Sequence, residues 1–189
     1  MVNKGEKTRS DIVNCAKKLF YVQGYERTSF TDIVDSTDLS RGNIYHYFKS
    51  KDEILKAVIE QRLDEYRAQL TKWDIESSDA KERLFAFIDM IVMQKSELIE
   101  YGCPIGSLNT ELAKDQRELQ ISASALFDLF RDWLESCFIR LGMKSEAQSL
   151  ALHLLGRAQG VAVISHVYHD KKFLLREINL LKDWVRQLK

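Results

Sequence analysis

Thr28–Leu55, TSFTDIVDSTDLSRGNIYHYFKSKDEIL, is the stretch on which the reading of the chain turns. Thr28 or Ser29 precedes Phe30, Ile33, Val34 and Thr37, which recur at helical spacing. Ser40 stands as N-cap before a second short helix, Arg41 to Tyr47. Ser50 and Glu53 form a Ser-x-x-Glu capping box that opens a third, longer helix. Two short helices joined by Thr37-Asp38-Leu39-Ser40 and packed on a longer one make a helix-turn-helix. In that motif the second helix enters the major groove of DNA with its N-terminal side chains toward the base edges.

The second helix reads Arg41-Gly42-Asn43-Ile44-Tyr45-His46-Tyr47-Phe48. Ile44 and Phe48, four apart, share a face and anchor it to the core. Arg41, Asn43, Tyr45, His46 and Tyr47 remain as donors, acceptors and flat rings for a groove, with Ser40 at the head of the same surface. Gly42 lets the backbone come close to DNA. Lys49 and Lys51 flank the next helix start, where amides and ammonium groups together favour a phosphate. Three aromatic residues on so short a helix exceed what one face can bury, so Tyr45 and Tyr47 are expected outside and Phe48 inside.

Outward from this stretch, apolar residues keep a 3.6-residue spacing almost throughout, with one proline, Pro104, and few glycines. The spacing predicts an all-α chain. A helix runs from about Thr8 to Gln23 and closes at Gly24; the helix after Ser50 continues to near Trp73. Asp79 caps another, carrying Leu84, Ile88, Ile91 and Val92, up to a break at Tyr101-Gly102-Cys103-Pro104. A short helix near Ile105–Ala113, a long one from about Asp115 to Leu141, and two more, about 145–169 and 171–188, complete the chain.

Hydrophobic residues at 45% and charged residues at 30% describe a soluble globular chain. No run of about 18 uninterrupted apolar residues predicts a membrane span, and MVNKGEKTRSDI lacks the apolar core of a secretion signal. Cys15, Cys103 and Cys137 are odd in number and form no CxxC pair, so neither a disulfide framework nor a zinc site is indicated and a reducing cytoplasm fits best. Net charge is zero, yet residues 1–56 hold ten Lys and Arg against eight Asp and Glu. That bias is too small to argue for nucleic acid by itself; the argument rests on the placed residues.

Those residues carry a resemblance. Thr28–Leu55, and within it Ser40–Phe48 followed by Ser50, Lys51 and Leu55, resembles the N-terminal domain of the TetR family of bacterial transcriptional regulators. The resemblance implies a three-helix DNA-binding head, about residues 1–50, and a helical body for effector binding and dimerisation, about residues 51–189. It implies that Thr28 touches phosphate from the start of its helix, that Tyr45 and Tyr47 touch backbone or bases, and that Lys51 neutralises a phosphate. Asp38 stands where the family turn usually has glycine; aspartate tolerates the left-handed conformation better than most residues, so the turn is expected to survive.

In the body, Gly156 and Gly160 lie four apart, with Phe173, Leu180 and Trp184 on one side of the last helix and Leu174, Ile178, Leu181 and Val185 on another. A terminal helix apolar on two sides is expected to be shared between subunits, and the resemblance implies a four-helix dimer interface there. The partners expected are thus a second copy of the chain and a pseudopalindromic duplex operator. Phe87, Met90, Ile91, Phe127, Phe130 and Trp133 lie on helices that the family uses to enclose ligands; an apolar or aromatic effector is expected, without metal or cofactor. Aromatic and methionine side chains at helical spacing also read as ordinary core.

Cys103, just before a helix start, sits where free amides and the helix dipole stabilise a thiolate. Its segment resembles one found in family members that sense electrophiles or oxidants. A small buried hydrophobe is the plainer alternative, since no cation lies near it in sequence. Phosphate-binding glycine loops, metal-ligand spacings and nucleophile–base pairs are absent, which argues against an enzyme. His166, His169 and Asp170 read as a polar helix end. A helical adaptor without DNA would leave the polar face of Arg41–Tyr47 unexplained.

Overall fold

A computed structural model of the chain describes residues 4–188. Among the described residues ten helices follow one another: α1 (Lys4–Gln23), α2 (Phe30–Asp35), α3 (Arg41–Tyr47), α4 (Lys51–Glu76), α5 (Ala80–Met93), α6 (Lys95–Tyr101), α7 (Pro104–Asp115), α8 (Arg117–Arg140), α9 (Ala147–Tyr168) and α10 (Lys171–Gln187). The described chain is all-α, as the spacing of apolar residues requires. It divides into two compact units, one of residues up to Asp64 with Ser107–Ala125, the other of Glu65–Gly106 with residues from Leu126 on. Helices α4, α7 and α8 each belong partly to both.

In the first unit, Ile12, Ala16 and Phe20 of α1, Ile33 of α2, Ile44 of α3, Phe48, and Ile54, Leu55 and Val58 of α4 are buried. Gly24 closes α1 at φ +88°, a left-handed position that disfavours any side chain. Ser29 caps α2 through a full box: its hydroxyl accepts the Asp32 amide at 3.1 Å, and Asp32 Oδ2 accepts the Ser29 amide at 2.7 Å. Those bonds hold the exposed Asp32 carboxyl below its usual pKa, the Ser29 amide contributing most. The box at α4 is displaced by one residue, because the Glu53 carboxylate takes the Lys49 amide at 2.7 Å while Ser50 takes that of Glu53 at 3.1 Å.

The second unit packs α10 on α5 and on α9, and α6 on α9. Its core includes Leu84, Phe87 and Ile88 of α5, Phe130, Leu134 and Phe138 of α8, Ala151, Leu154 and Ala158 of α9, and Leu174, Ile178, Leu181 and Val185 of α10. Ion pairing of Lys182 with Asp89 at 2.5 Å joins α10 to α5. The single helix expected after Asp79 is two, α5 and α6, broken at Gln94 (φ −96°, ψ 11°), whose amide turns back to Met90 and Val92 carbonyls. No glycine or proline marks that break, so periodicity ran straight through it.

The end of α4 is fastened by a buried arginine. Arg83, 4% exposed, donates Nε to the Ser77 carbonyl at 2.9 Å and Nη2 to that of Asp74 at 3.0 Å. Its Nη1 lies 2.9 Å from Asp74 Oδ1, close enough for an ion pair although its angle falls short of a hydrogen bond. The same carboxylate takes the Trp133 indole N–H at 3.3 Å. Only a planar fork serves these acceptors at once. Arg83→Lys keeps the charge and the stem but loses the fork, and is expected to lower stability by about 2 kcal/mol. Urea unfolding followed by tryptophan fluorescence checks this; a midpoint like that of the parent chain would contradict it.

Candidate nucleic-acid interface and apolar cavity

Helices of six and seven residues are too short to persist alone, so α2 and α3 depend on what they bury and on their caps. Ser40 accepts the Asn43 amide at 3.3 Å and starts α3. Ile44 and Phe48 turn inward, at 0% and 3% exposure. Ser40, Arg41, Gly42, Asn43, Tyr45, His46 and Lys49 are exposed, and Tyr47 is half-buried against the His46 ring. The Arg41 guanidinium lies over the Tyr45 and Phe30 rings at 5.8 and 6.0 Å, and those rings meet at 4.9 Å. The result is a polar, partly aromatic surface with two cationic side chains, Arg41 and Lys49, the latter donating to the Tyr45 carbonyl.

Thr28 and Lys51 face the α1–α2 turn, and Asp38 departs from the conformation expected of it. Thr28 is wholly buried, its hydroxyl donating to the Gly24 carbonyl at 2.7 Å, so that group faces the α1–α2 turn and not a phosphate. Lys51 points to the same turn: its ammonium donates to the Tyr25 carbonyl at 2.9 Å and lies 4.0 Å from the Tyr25 ring centroid. Asp38 needs no left-handed conformation, since His169 is the one described non-glycine residue at positive φ. The turn is held instead by the Thr37 hydroxyl, which donates to the Val34 carbonyl at 2.9 Å and accepts the Leu39 amide at 3.4 Å.

What the sequence did not disclose is how the α1–α2 turn is tied down. Glu111, on α7, accepts the amides of Tyr25 and Glu26 at 3.0 and 2.9 Å, one on each carboxylate oxygen. Asp52 accepts the Tyr25 phenol. Burial first, and that carboxylate second, push the phenol far above its usual pKa. Helical periodicity marks Glu111 and Asp52 only as polar positions, and nothing in it pairs them with a turn so far away in sequence.

In the second unit, six of the seven expected cavity residues come together. Phe87, Met90, Ile91, Cys103, Phe127 and Phe130, with Tyr66, Gln94 and Gln159 among others, line a space of about 40 Å³. That holds a water molecule or two, against several hundred Å³ for a ligand pocket. A groove of about 610 Å³, lined by Trp73, Phe85 and Met93 among others, shares Tyr66, Met90 and Gln94 with it. Trp133 does not line either space; its indole N–H is drawn to Asp74 and its ring packs on Trp73 at 5.6 Å. Cys103, half-buried, precedes α7, and its sulfur accepts the Gly106 amide and the Gln159 side-chain amide, each at 3.4 Å. A methyl at Gly106 would fall 2.4 Å from Gln159 Oε1 and would make that side chain shift.

Gly156 and Gly160 lie exposed on one stripe of α9 with Leu152, Ile164 and Val167, and nothing crowds a Cβ placed at either glycine. Leu180 on α10 is half exposed; Phe173 and Trp184 are half-buried, the latter against Phe138 and His153. His166 pairs through Nδ1 with the Ile99 carbonyl, and Asp170 caps α10. Among the described residues no three metal-binding side chains gather.

Comparison with known proteins gives this arrangement its class. Residues 12–58 match the bacterial regulatory proteins of the tetR family, and residues 80–178 match the C-terminal domain of LmrA/YxaF-like transcriptional regulators. An uncharacterized HTH-type transcriptional regulator in the lacX 3' region of Lactococcus lactis is 28% identical, over 93% of this chain and 91% of its own length. The HTH-type regulator YxaF of Bacillus subtilis is also 28% identical, over 93% of each chain. The structure of a TetR regulator from Legionella pneumophila superposes with a TM-score of 0.82 at 26% identity, covering 97% of this chain and 99% of that one. A second, from Cytophaga hutchinsonii, gives 0.85 at 20% identity over 100% and 98%. With an N-terminal helix-turn-helix, a helical body and both family matches in register, the chain belongs to the TetR family of bacterial transcriptional regulators, DNA-binding proteins and not enzymes.

Proposed function

We propose that this regulator is a homodimeric repressor of the cytoplasm, released from a pseudopalindromic operator when a small apolar or aromatic molecule occupies its body. Residues 1–50 serve as the reading head and residues 51–189 as sensor and dimer-former. The observation that carries the proposal is the exposed apolar stripe of α9, Leu152, Ile164 and Val167 beside Gly156 and Gly160. By length and composition alone α9 could cross a bilayer. Its exposed stripe is interrupted by His153 and Arg157 and backed by a buried alanine face, which suits a second copy of the same chain better than lipid. Two-fold pairing of chains that each carry one α3 presents two recognition helices to two half-sites.

Arg41, Asn43, Tyr45 and His46 are assigned to the bases, Ser40, Gly42 and Tyr47 to close approach and backbone, and Lys49 to phosphate. Effector binding requires the 40 Å³ space to widen at Phe87, Met90, Ile91, Phe127 or Phe130. An occupant acts only by favouring one of two dimer states over the other. Pro104 and Ile105 stand in the cavity wall at the start of α7, where such widening would first be felt.

Sedimentation with a duplex selected by the chain from a random-sequence pool tests the proposal. Two chains per duplex, and a dimer without DNA, are expected; a monomer in both states would overturn it. On that duplex Asn43→Ala is expected to cost about tenfold or more in affinity, while leaving binding to random DNA nearly unchanged. Lys49→Ala weakens both and lowers the salt slope by about one. The reverse pattern would overturn the assignment of roles.

A second reading is favoured by one observation: the Cys103 sulfur lies in the cavity wall and accepts two N–H donors. A sulfur in that wall meets whatever enters the cavity, which makes Cys103 a sensor of electrophiles or oxidants. Cys137 offers an internal control, because burial pushes its thiol up to about 11. N-ethylmaleimide at pH 7.5 is expected to modify Cys103, spare Cys137, and release DNA, in a chain whose Cys15 is replaced by serine. Cys103→Ala in that chain should keep the DNA bound. Release that persists in Cys103→Ala would contradict this reading.

A further inference from the structure

Glu111 is tied to the α1–α2 turn by a contact that neither the motif nor the family matches account for. The carbonyls of Gly24 and Tyr25 and the amides of Tyr25 and Glu26 all have partners. The Gly24 carbonyl accepts the Thr28 hydroxyl at 2.7 Å. The Tyr25 carbonyl accepts the Lys51 ammonium at 2.9 Å and the Thr28 amide at 3.2 Å. The amides of Tyr25 and Glu26 remain, and both end on Glu111. Only the carboxylate comes from outside the helix-turn-helix and the helix that follows it. Two adjacent amides on two oxygens of one anion form a charge-assisted, two-point contact, which fixes direction as well as distance.

Gly24 has a second reason to lack a side chain here. Besides its φ of +88°, a methyl on it would stand 3.0 Å from Glu111 Oε1 and 3.2 Å from Oε2. The glycine thus leaves open the space the carboxylate fills. Three residues downstream of Glu26, Ser29 caps α2, and α2 buries Ile33 beneath the turn that leads to α3. A shift of the α1–α2 turn is therefore passed to the start of α2 and so to the angle at which α3 is offered.

We propose that Glu111 is a positioning residue for DNA recognition, clamping the Tyr25 and Glu26 amides so that α2 and α3 are held ready to bind without touching DNA itself. Glu111→Gln tests this with little change of shape. One amide then faces the NH₂ group, donor against donor, and the two-point contact is lost. Hydrogen exchange at Tyr25 and Glu26 is expected to quicken about tenfold or more, and affinity for the selected duplex to fall about tenfold. The slope of log K against log salt stays as in the parent chain, because no phosphate contact is removed.

Gly24→Ala crowds the same carboxylate and is expected to act in the same direction. The double variant should bind no more weakly than the worse single, since both disturb one contact; unrelated destabilisations would add. Additive losses would overturn the proposal, as would parental affinity in Glu111→Gln or slow exchange at Tyr25 and Glu26 in that variant. Thermal midpoints of the four chains show whether any loss is one of folding alone, and a loss of affinity only in proportion to unfolded protein would also overturn it.

Discussion

Helices of six and seven residues cannot pay their own nucleation cost, and everything in the first unit follows from that constraint. The outer surface of α3 is polar and exposed, so it contributes little burial of its own. Ile44 and Phe48 supply most of what α3 gives to the core, and Ile33 what α2 gives. Caps then carry an unusual share: Ser29 with Asp32, Ser40 with the Asn43 amide, and Thr37 bridging the turn between them. Such side chains are ordinary in a long helix and decisive in one of two turns.

The second unit solves a different problem with the opposite means. Apart from the seven-residue α6, its helices are long enough to be apolar on one face and polar on the other, so packing dominates and polar groups appear where an end must be fastened. Arg83 is the clearest case, a buried cation whose donors close the junction of α4 and α5. Small residues of α9, Ala151, Ala158 and Ala162, let neighbouring helices approach on the inner side. On the outer side Gly156 and Gly160 lie on the same exposed stripe as large apolar residues, with nothing to crowd a Cβ at either.

Much of this was legible in the sequence because periodicity reports which face of a helix is buried. Ile44 inward and Tyr45 outward, Gly24 at the end of α1, Asp79 at the head of α5, and the inward row Leu174, Ile178, Leu181 and Val185 all follow from spacing and caps. Periodicity cannot say what a polar side chain will meet. Thr28 and Lys51 have the chemistry of phosphate contacts, yet the Gly24 and Tyr25 carbonyls lie nearer. Trp133 has the chemistry of a cavity wall, yet its N–H was claimed by Asp74, a partner no window of sequence could have matched to it. Gln94 breaks a helix without a breaker residue. For Lys51 and Trp133 a tertiary contact decided between options that local chemistry left equal.

The capping of α7 carries a consequence for chemistry at Cys103. An N-cap is normally an oxygen, tied up in a hydroxyl or carboxylate that ordinary reagents leave alone. Here the acceptor for the Gly106 amide is a sulfur atom, the softest nucleophile a protein possesses. Any bond formed at that atom crowds the approach of the amide and draws lone-pair density from it. Covalent change and the uncapping of a helix are thereby made one event, felt by the backbone with no intervening side chain to absorb it.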